Sequence, residues 1–226
     1  MDFAMTIRGS WSLLLTGLVT TVIVSLIAIA VGTVIGFVSS LMGLSRIWVL
    51  KALSEIYVWV IRGTPMIVQA FIVYFGMPQL IQTFVPGFTI SAFTASAITL
   101  STNAGAYLSE IFRSGINAVD PGQVEASRSL GMSQVRTMRR IILPQAVRIT
   151  IPSLVNQFII TVKDSSILSV IGLAELVNRA KVYVGGTYQF FATYVLVAVL
   201  YLAVISALMV ASRYIEKRLN RDKDPA

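Results

Sequence analysis

Cysteine and histidine are both absent from the 226 residues, and charge is scarce. Without cysteine no disulfide or thiolate chemistry is open to the chain. Without histidine the commonest metal ligand and the usual general base are missing. A metal site would have to be built from carboxylates alone, and Asp and Glu together number ten. Only 12% of the residues are charged, against about 25% in soluble domains. The shortage is concentrated: residues 9–45, 63–109 and 182–212 carry no charged side chain at all. Each run exceeds the roughly 20 helical residues that cross a bilayer core. Such runs exclude an ordinary soluble domain, and they are too long for the alternating strands of a membrane barrel. The first is also too long for a signal-peptide core and has no evident cleavage site, so it is expected to remain as a span.

What is present therefore points to an all-α integral membrane protein, one domain over residues 1–226. The first span is expected within about 11–42. The run 63–109 is too long for one crossing and breaks at Pro86-Gly87, a turn-forming pair, giving spans near 64–84 and 88–112. A fourth is expected over 149–174, interrupted by Lys163 and Asp164, and a fifth over 186–212. Five spans put the termini on opposite sides, and Lys and Arg mark the cytoplasm. With the N-terminus outside and the C-terminus inside, only Arg8, Lys163, Arg179 and Lys181 of the 18 basic residues lie outside. The opposite orientation would invert that bias. The net charge of +8 thus reflects topology and anionic lipid, and no nucleic-acid partner is expected. No internal repeat suggests the inverted halves of many secondary transporters.

One polar stretch interrupts this pattern, over about 118–146. Asp120 can cap a helix, Pro121 suits its first position, and Gln123 completes an Asp-x-x-Gln capping box. The helix is expected to run to Leu130, where Gly131 can adopt the left-handed conformation that stops it. Ser133 can cap a second helix, which Pro144 allows to continue to about Leu143. A DNA-reading helix-turn-helix needs a free recognition helix and a supporting third one, and a unit tethered at both ends to membrane spans supplies neither. A bland connecting loop and a docking element for a soluble partner are the readings that remain.

The spacing within that stretch resembles the EAA loop of bacterial ABC importer permeases. Glu125, Ala126 and Ser127 are followed at the family's intervals by Gly131 and then Ile141, Leu143 and Pro144. The departure is serine for the second alanine. "RGTPMIVQ" (Arg62 to Gln69), "STNAGAYLSEIFRSGINAVDPGQVEA" (Ser101 to Ala126) and "KDSSILSVIGLAEL" (Lys163 to Leu176) resemble the polar amino acid branch of these permeases. The likeness spans roughly residues 10–218.

That resemblance implies the membrane subunit of a type I ABC importer in the bacterial plasma (inner) membrane. It implies five transmembrane helices with a cytoplasmic helix-turn-helix coupling loop. The implied partners are two cytoplasmic ATPase subunits, a second permease subunit in a homo- or heterodimer, and an extracytoplasmic solute-binding protein. The chain carries no G-x-x-x-x-G-K-[ST] phosphate loop, so it is not expected to be an enzyme, and ATP and Mg²⁺ belong to the partner. Glu125, Ala126, Ser127, Gly131, Ile141, Leu143 and Pro144 are the expected coupling residues.

For the substrate path, ionisable groups at membrane depth are costly and suggest function. Asp164, Ser165 and Ser166 in the fourth span, with Asn103 in the third, offer groups suited to an ammonium and a carboxylate. Equally, Lys163 and Asp164 could neutralise each other or cap a helix break. Gly32 and Gly36 form a G-x-x-x-G that suits packing within the chain or a dimer seam. Glu110 and Arg113 are expected to pair. An arginine- or glutamine-like substrate is expected. The alternatives are an ion-coupled secondary transporter or channel, or a permease for another small solute such as methionine.

Overall fold

The computed structural model describes residues 3–221, and among these the chain is helical with no strand. The first helix, α1, is Phe3–Gly43. Its buried positions include Thr6, Ser10, Leu14, Gly17, Thr21, Ser25, Ala28, Gly32, Gly36 and Ser39, three or four residues apart. Large apolar side chains such as Val19, Ile23, Val31 and Val34 point outward. Small and hydroxyl-bearing residues inside with bulky apolar ones outside is the pattern of helices packed in lipid.

The connection to the next span is itself a helix, α2 (Trp48–Gly63). No helix is expected there from the sequence, which places residues 43–63 between two spans. The chain then turns through 105° at residues 64–65. Pro65 disfavours a helical Thr64, which is extended at φ −122°, ψ 144°. The next span comes in pieces: α3 (Met66–Phe71), a π turn at Ile72–Gly76, and α4 (Met77–Gln82). Then follow α5 (Ala92–Asn117), α6 (Pro121–Ser129), α7 (Gln134–Thr137), a π turn at Met138–Ile142, and α8 (Leu143–Asp164). A 3-10 stretch over Ser165–Ile171 leads to α9 (Leu176–Thr187) and α10 (Phe190–Arg221).

Helix α5 is the centre of the bundle. A Cβ built on Gly32 would meet the Ser101 carbonyl at 3.0 Å, and one on Gly36 the Gly105 carbonyl at 2.8 Å. The G-x-x-x-G is therefore a seam within the chain. Helices α1 and α5 run in the same direction, and α8 runs opposite, with Ala146 packed on Ile116 and Val119 at the α5 C-terminus. At the other end of the bundle, Leu168, Ile171 and Leu173 close on Val24, Ala28 and Ala95. Among the described residues, three stretches are long and apolar enough to cross a membrane: Phe3–Gly43, Gln134–Ile171 and Phe190–Lys217. The bent pair through α2 makes a fourth if it counts as one. Helix α5 falls short on composition because its inward face is rich in Ser96, Thr99, Ser101, Asn103 and Ser109, all buried.

Glu175 anchors α9. Its carboxylate accepts from the backbone N–H groups of Val177 (2.8 Å) and Asn178 (2.6 Å) and from the Tyr201 hydroxyl of α10 (3.2 Å). The Leu176 N–H donates to Thr21 of α1.

A hydroxyl cluster fastens α2. Ser39 and Ser54 Oγ lie 2.9 Å apart, and Ser109 Oγ donates to Ser39 Oγ at 3.0 Å. A disulfide needs two side chains that approach closely, and the 2.9 Å between these Oγ atoms meets that need, so Ser39→Cys with Ser54→Cys is expected to oxidise readily. The absence of native cysteine gives a clean background for thiol labelling. Two thiols that stay free under mild oxidant would contradict the α1–α2 contact.

Candidate coupling site and substrate path

Helices α6 and α7 form a polar projection between α5 and α8. Asp120 caps α6, accepting from the Gly122 N–H at 2.8 Å. Gln123 does not complete the capping box, because its amide oxygen accepts from Gln145 of α8 at 2.6 Å. That bond ties the projection to α8. Gly131 ends α6 with φ +78°. Around it, Met132 N–H donates to the Ser127 carbonyl and Gly131 N–H to that of Arg128, which satisfies carbonyls left free at the helix end. Ser133 caps α7 through the Arg136 N–H at 3.4 Å.

Glu125, Ala126 and Gly131 are exposed, whereas Ser127 is buried. The Ser127 hydroxyl donates to the Val124 carbonyl and lies 3.0 Å from Thr137 Oγ1. The serine that departs from the family pattern thus pins α6 to α7. Leu130 and Val135 are 83% and 68% exposed. Two bare aliphatic side chains on a polar projection suit a partner surface, and neither is among the residues expected from the sequence. Their signal was an apolar residue on either side of the turn.

The helix does not end before Pro144. Ile141 and Leu143 are half-buried, Pro144 is exposed, and the chain runs helically through all three into α8. Proline lacks an N–H and its ring collides with the carbonyl four residues back. The π turn at Met138–Ile142 re-routes the hydrogen bonds just ahead of it.

Of the four expected path residues, three lie together where α8 ends. Asp164 is the last residue of α8, and Ser165 and Ser166 open the 3-10 stretch. The pair Lys163–Asp164 sits at this helix end instead of mid-span. No ion pair joins them among the described residues. Ser165 donates to the Val162 carbonyl (2.8 Å) and Ser166 to that of Lys163 (2.6 Å), closing the helix end. Asn103 is apart from them, on α5, donating to Gln69 of α3 at 3.2 Å. Glu110 and Arg113 pair at 2.7 Å as expected, and Arg62 joins them 3.7 Å from Glu110.

A family model described as the binding-protein-dependent transport system inner membrane component matches residues 32–221. The chain belongs to that family. This permease is 36% identical over 219 residues to the arginine transport system permease protein ArtQ of Bacillus subtilis, covering 97% of each chain. It is 38% identical to the putative glutamine transport system permease protein GlnP of Rickettsia bellii, covering 90% of this chain and 91% of that one. A crystal structure of an amino acid ABC transporter with histidines superposes at a TM-score of 0.90 and 38% identity, covering 96% of this chain and 99% of that one. The permease is accordingly a multi-pass inner-membrane component. In ABC importers of this kind, ATP hydrolysis belongs to a separate subunit.

Proposed function

We propose that this permease forms the path of an ATP-driven importer for a polar amino acid of the arginine or glutamine type. The observation that carries this is the polar projection around Glu125, exposed beyond the apolar bundle yet continuous with α8. The names of the relatives support the substrate class. Five crossings with the N-terminus outside fit the alternating directions of α1, the α3–α4 pair, α5, α8 and α10, and they fit the distribution of Lys and Arg. The projection then faces the cytoplasm and docks on one ATPase. A second permease subunit carries the other, and a solute-binding protein delivers substrate outside. ATP and Mg²⁺ stay in the ATPase.

In this arrangement Glu125 offers charge, and Ala126 and Gly131 allow close approach. Ser127 holds the helix pair together, and Ile141, Leu143 and Pro144 pass movement into α8. Asp164 sits at the far end of that helix, where its carboxylate can meet a substrate ammonium, with Ser165, Ser166 and Asn103 as the accompanying polar groups. Closure of the ATPases would then rock the two permease halves about the path.

The test is purification of the tagged permease from its native host in mild detergent, with mass spectrometry of what accompanies it. A P-loop ATPase is expected with the natural chain and is expected to be lost with Glu125→Arg. After reconstitution, ATP-dependent uptake of arginine or glutamine is expected, and Asp164→Asn is expected to keep the ATPase but lose uptake. A lone permease that moves solute down an ion gradient would sink this assignment.

A further inference from the structure

The right-angled turn between α2 and α3 leaves carbonyls at the α2 C-terminus that need donors. Gln69, one turn into α3, supplies them from its side chain. Its Nε2 lies 2.7 Å from the Ile61 carbonyl, 3.1 Å from the Thr64 carbonyl and 2.9 Å from Thr64 Oγ1. Two N–H bonds thus serve three acceptors. Its Oε1 accepts from Asn103 Nδ2 of α5 at 3.2 Å. Both amide side chains are 8% exposed, so these bonds are shielded from competing water.

A second tie lies beside the first. The Arg62 guanidinium sits 5.1 Å from the centre of the Tyr107 ring and 3.7 Å from Glu110. Asn103, Tyr107 and Glu110 are spaced by four and three residues, so they form one stripe along α5. Asn103 meets Gln69 beyond the turn, and Tyr107 and Glu110 meet Arg62 before it. Helix α5 in turn runs straight into the projection: Ile116 and Val119 pack on Ala146, Met138 and Ile142.

We propose that Gln69 is a positioning residue for transport, coupling the α2–α3 elbow to α5 so that displacement of the projection moves the second span. Asn103 is its anchor, and Arg62 on Tyr107 and Glu110 is the supporting tie. Movement of α5 along its axis pulls the elbow through these contacts, and α3 and α4 follow. This rests on the docking role assigned above.

The test uses the complex purified with its ATPase and reconstituted with the host's solute-binding protein. Uptake of radiolabelled arginine or glutamine, whichever the unsubstituted complex imports, is measured beside ATP hydrolysis in the same vesicles. With Gln69→Leu, hydrolysis is expected to continue while substrate imported per ATP falls about tenfold, the scale of leaving buried acceptors without a donor. Tyr107→Leu removes only the ring beneath Arg62 and is expected to lower the same ratio roughly threefold. A ratio that stays unchanged would overturn the proposal. So would a parallel fall in uptake and hydrolysis, since that marks a merely structural residue. If Gln69→Leu fails to reach the membrane, Tyr107→Leu, at a position 39% exposed, decides the matter. An unsubstituted permease that brings no ATPase removes the docking role itself, and this proposal falls with it.

Discussion

Gly131→Val is expected to release the ATPase from the permease, while Gly131→Asn is expected to retain most of it. The glycine has φ +78°, yet a Cβ built there meets nothing within 4 Å. Space is therefore not the obstacle. The obstacle is conformation: a β-branched residue in the left-handed region costs about 1–3 kcal/mol, whereas asparagine tolerates it. If valine forces the turn out of this region, the Met132 and Gly131 N–H bonds to the end of α6 break. Helices α6 and α7 then lose their mutual angle, and the exposed Glu125, Leu130 and Val135 change their placement relative to one another. Affinity for the ATPase should fall by roughly tenfold or more, given that 1.4 kcal/mol is a factor of ten. Quantitative pull-down from membranes reads this directly. Equal recovery of ATPase by the valine and asparagine variants would show that the turn does not govern docking.

Gly36→Val should leave no assembled permease to purify. A Cβ at Gly36 would lie 2.7 Å from Leu108 Cβ, 2.8 Å from the Gly105 carbonyl oxygen and 2.9 Å from the Ser109 nitrogen. Two of these are backbone atoms of α5, which cannot move without shifting the helix. Overpacking costs about 1–3 kcal/mol where side chains can adjust, and more where they cannot. Here the displaced helix also carries the Ser39–Ser109 bond and the central packing. Loss of the monodisperse peak in size-exclusion chromatography, or early thermal aggregation, is the expected result. Gly185→Ala in α9 is the control, since a Cβ there meets nothing. Behaviour of Gly36→Val identical to that control would refute the α1–α5 seam.

The elements legible in the sequence were those whose chemistry is local. The charge-free run of α1 and the Asp120, Gly131 and Ser133 signals of the projection each act within a few residues. Helix α2 was missed because Lys51, Glu55 and Arg62 resemble a polar connection, although its exposed Trp48, Leu53, Ile56 and Trp59 belong to an amphipathic helix. Neither π turn has a compositional mark, since a shift of hydrogen-bond register needs no special residue. Long-range partners were equally invisible. Gln123 finds Gln145, and Gln69 finds Asn103 34 positions away. Lys163 and Asp164, adjacent in sequence, were candidates for mutual neutralisation, yet consecutive residues on a helix do not face each other.

The unbroken path from α7 through the π turn into α8 has a mechanical consequence. Residues 134–171 form one helical run of 38 residues. At about 1.5 Å per residue, the helical path from Val135 to Asp164 is roughly 44 Å long. A continuous helix of that length, even with the π turn, Pro144 and Pro152 bending it, acts as a lever. Pivoting it by only about 5° at the projection would sweep Asp164 sideways by roughly 4 Å, about one side chain's width, for a rise of 1.5 Å per residue. A shift too small to break contacts at the ATPase surface would then suffice to remake those at the far end.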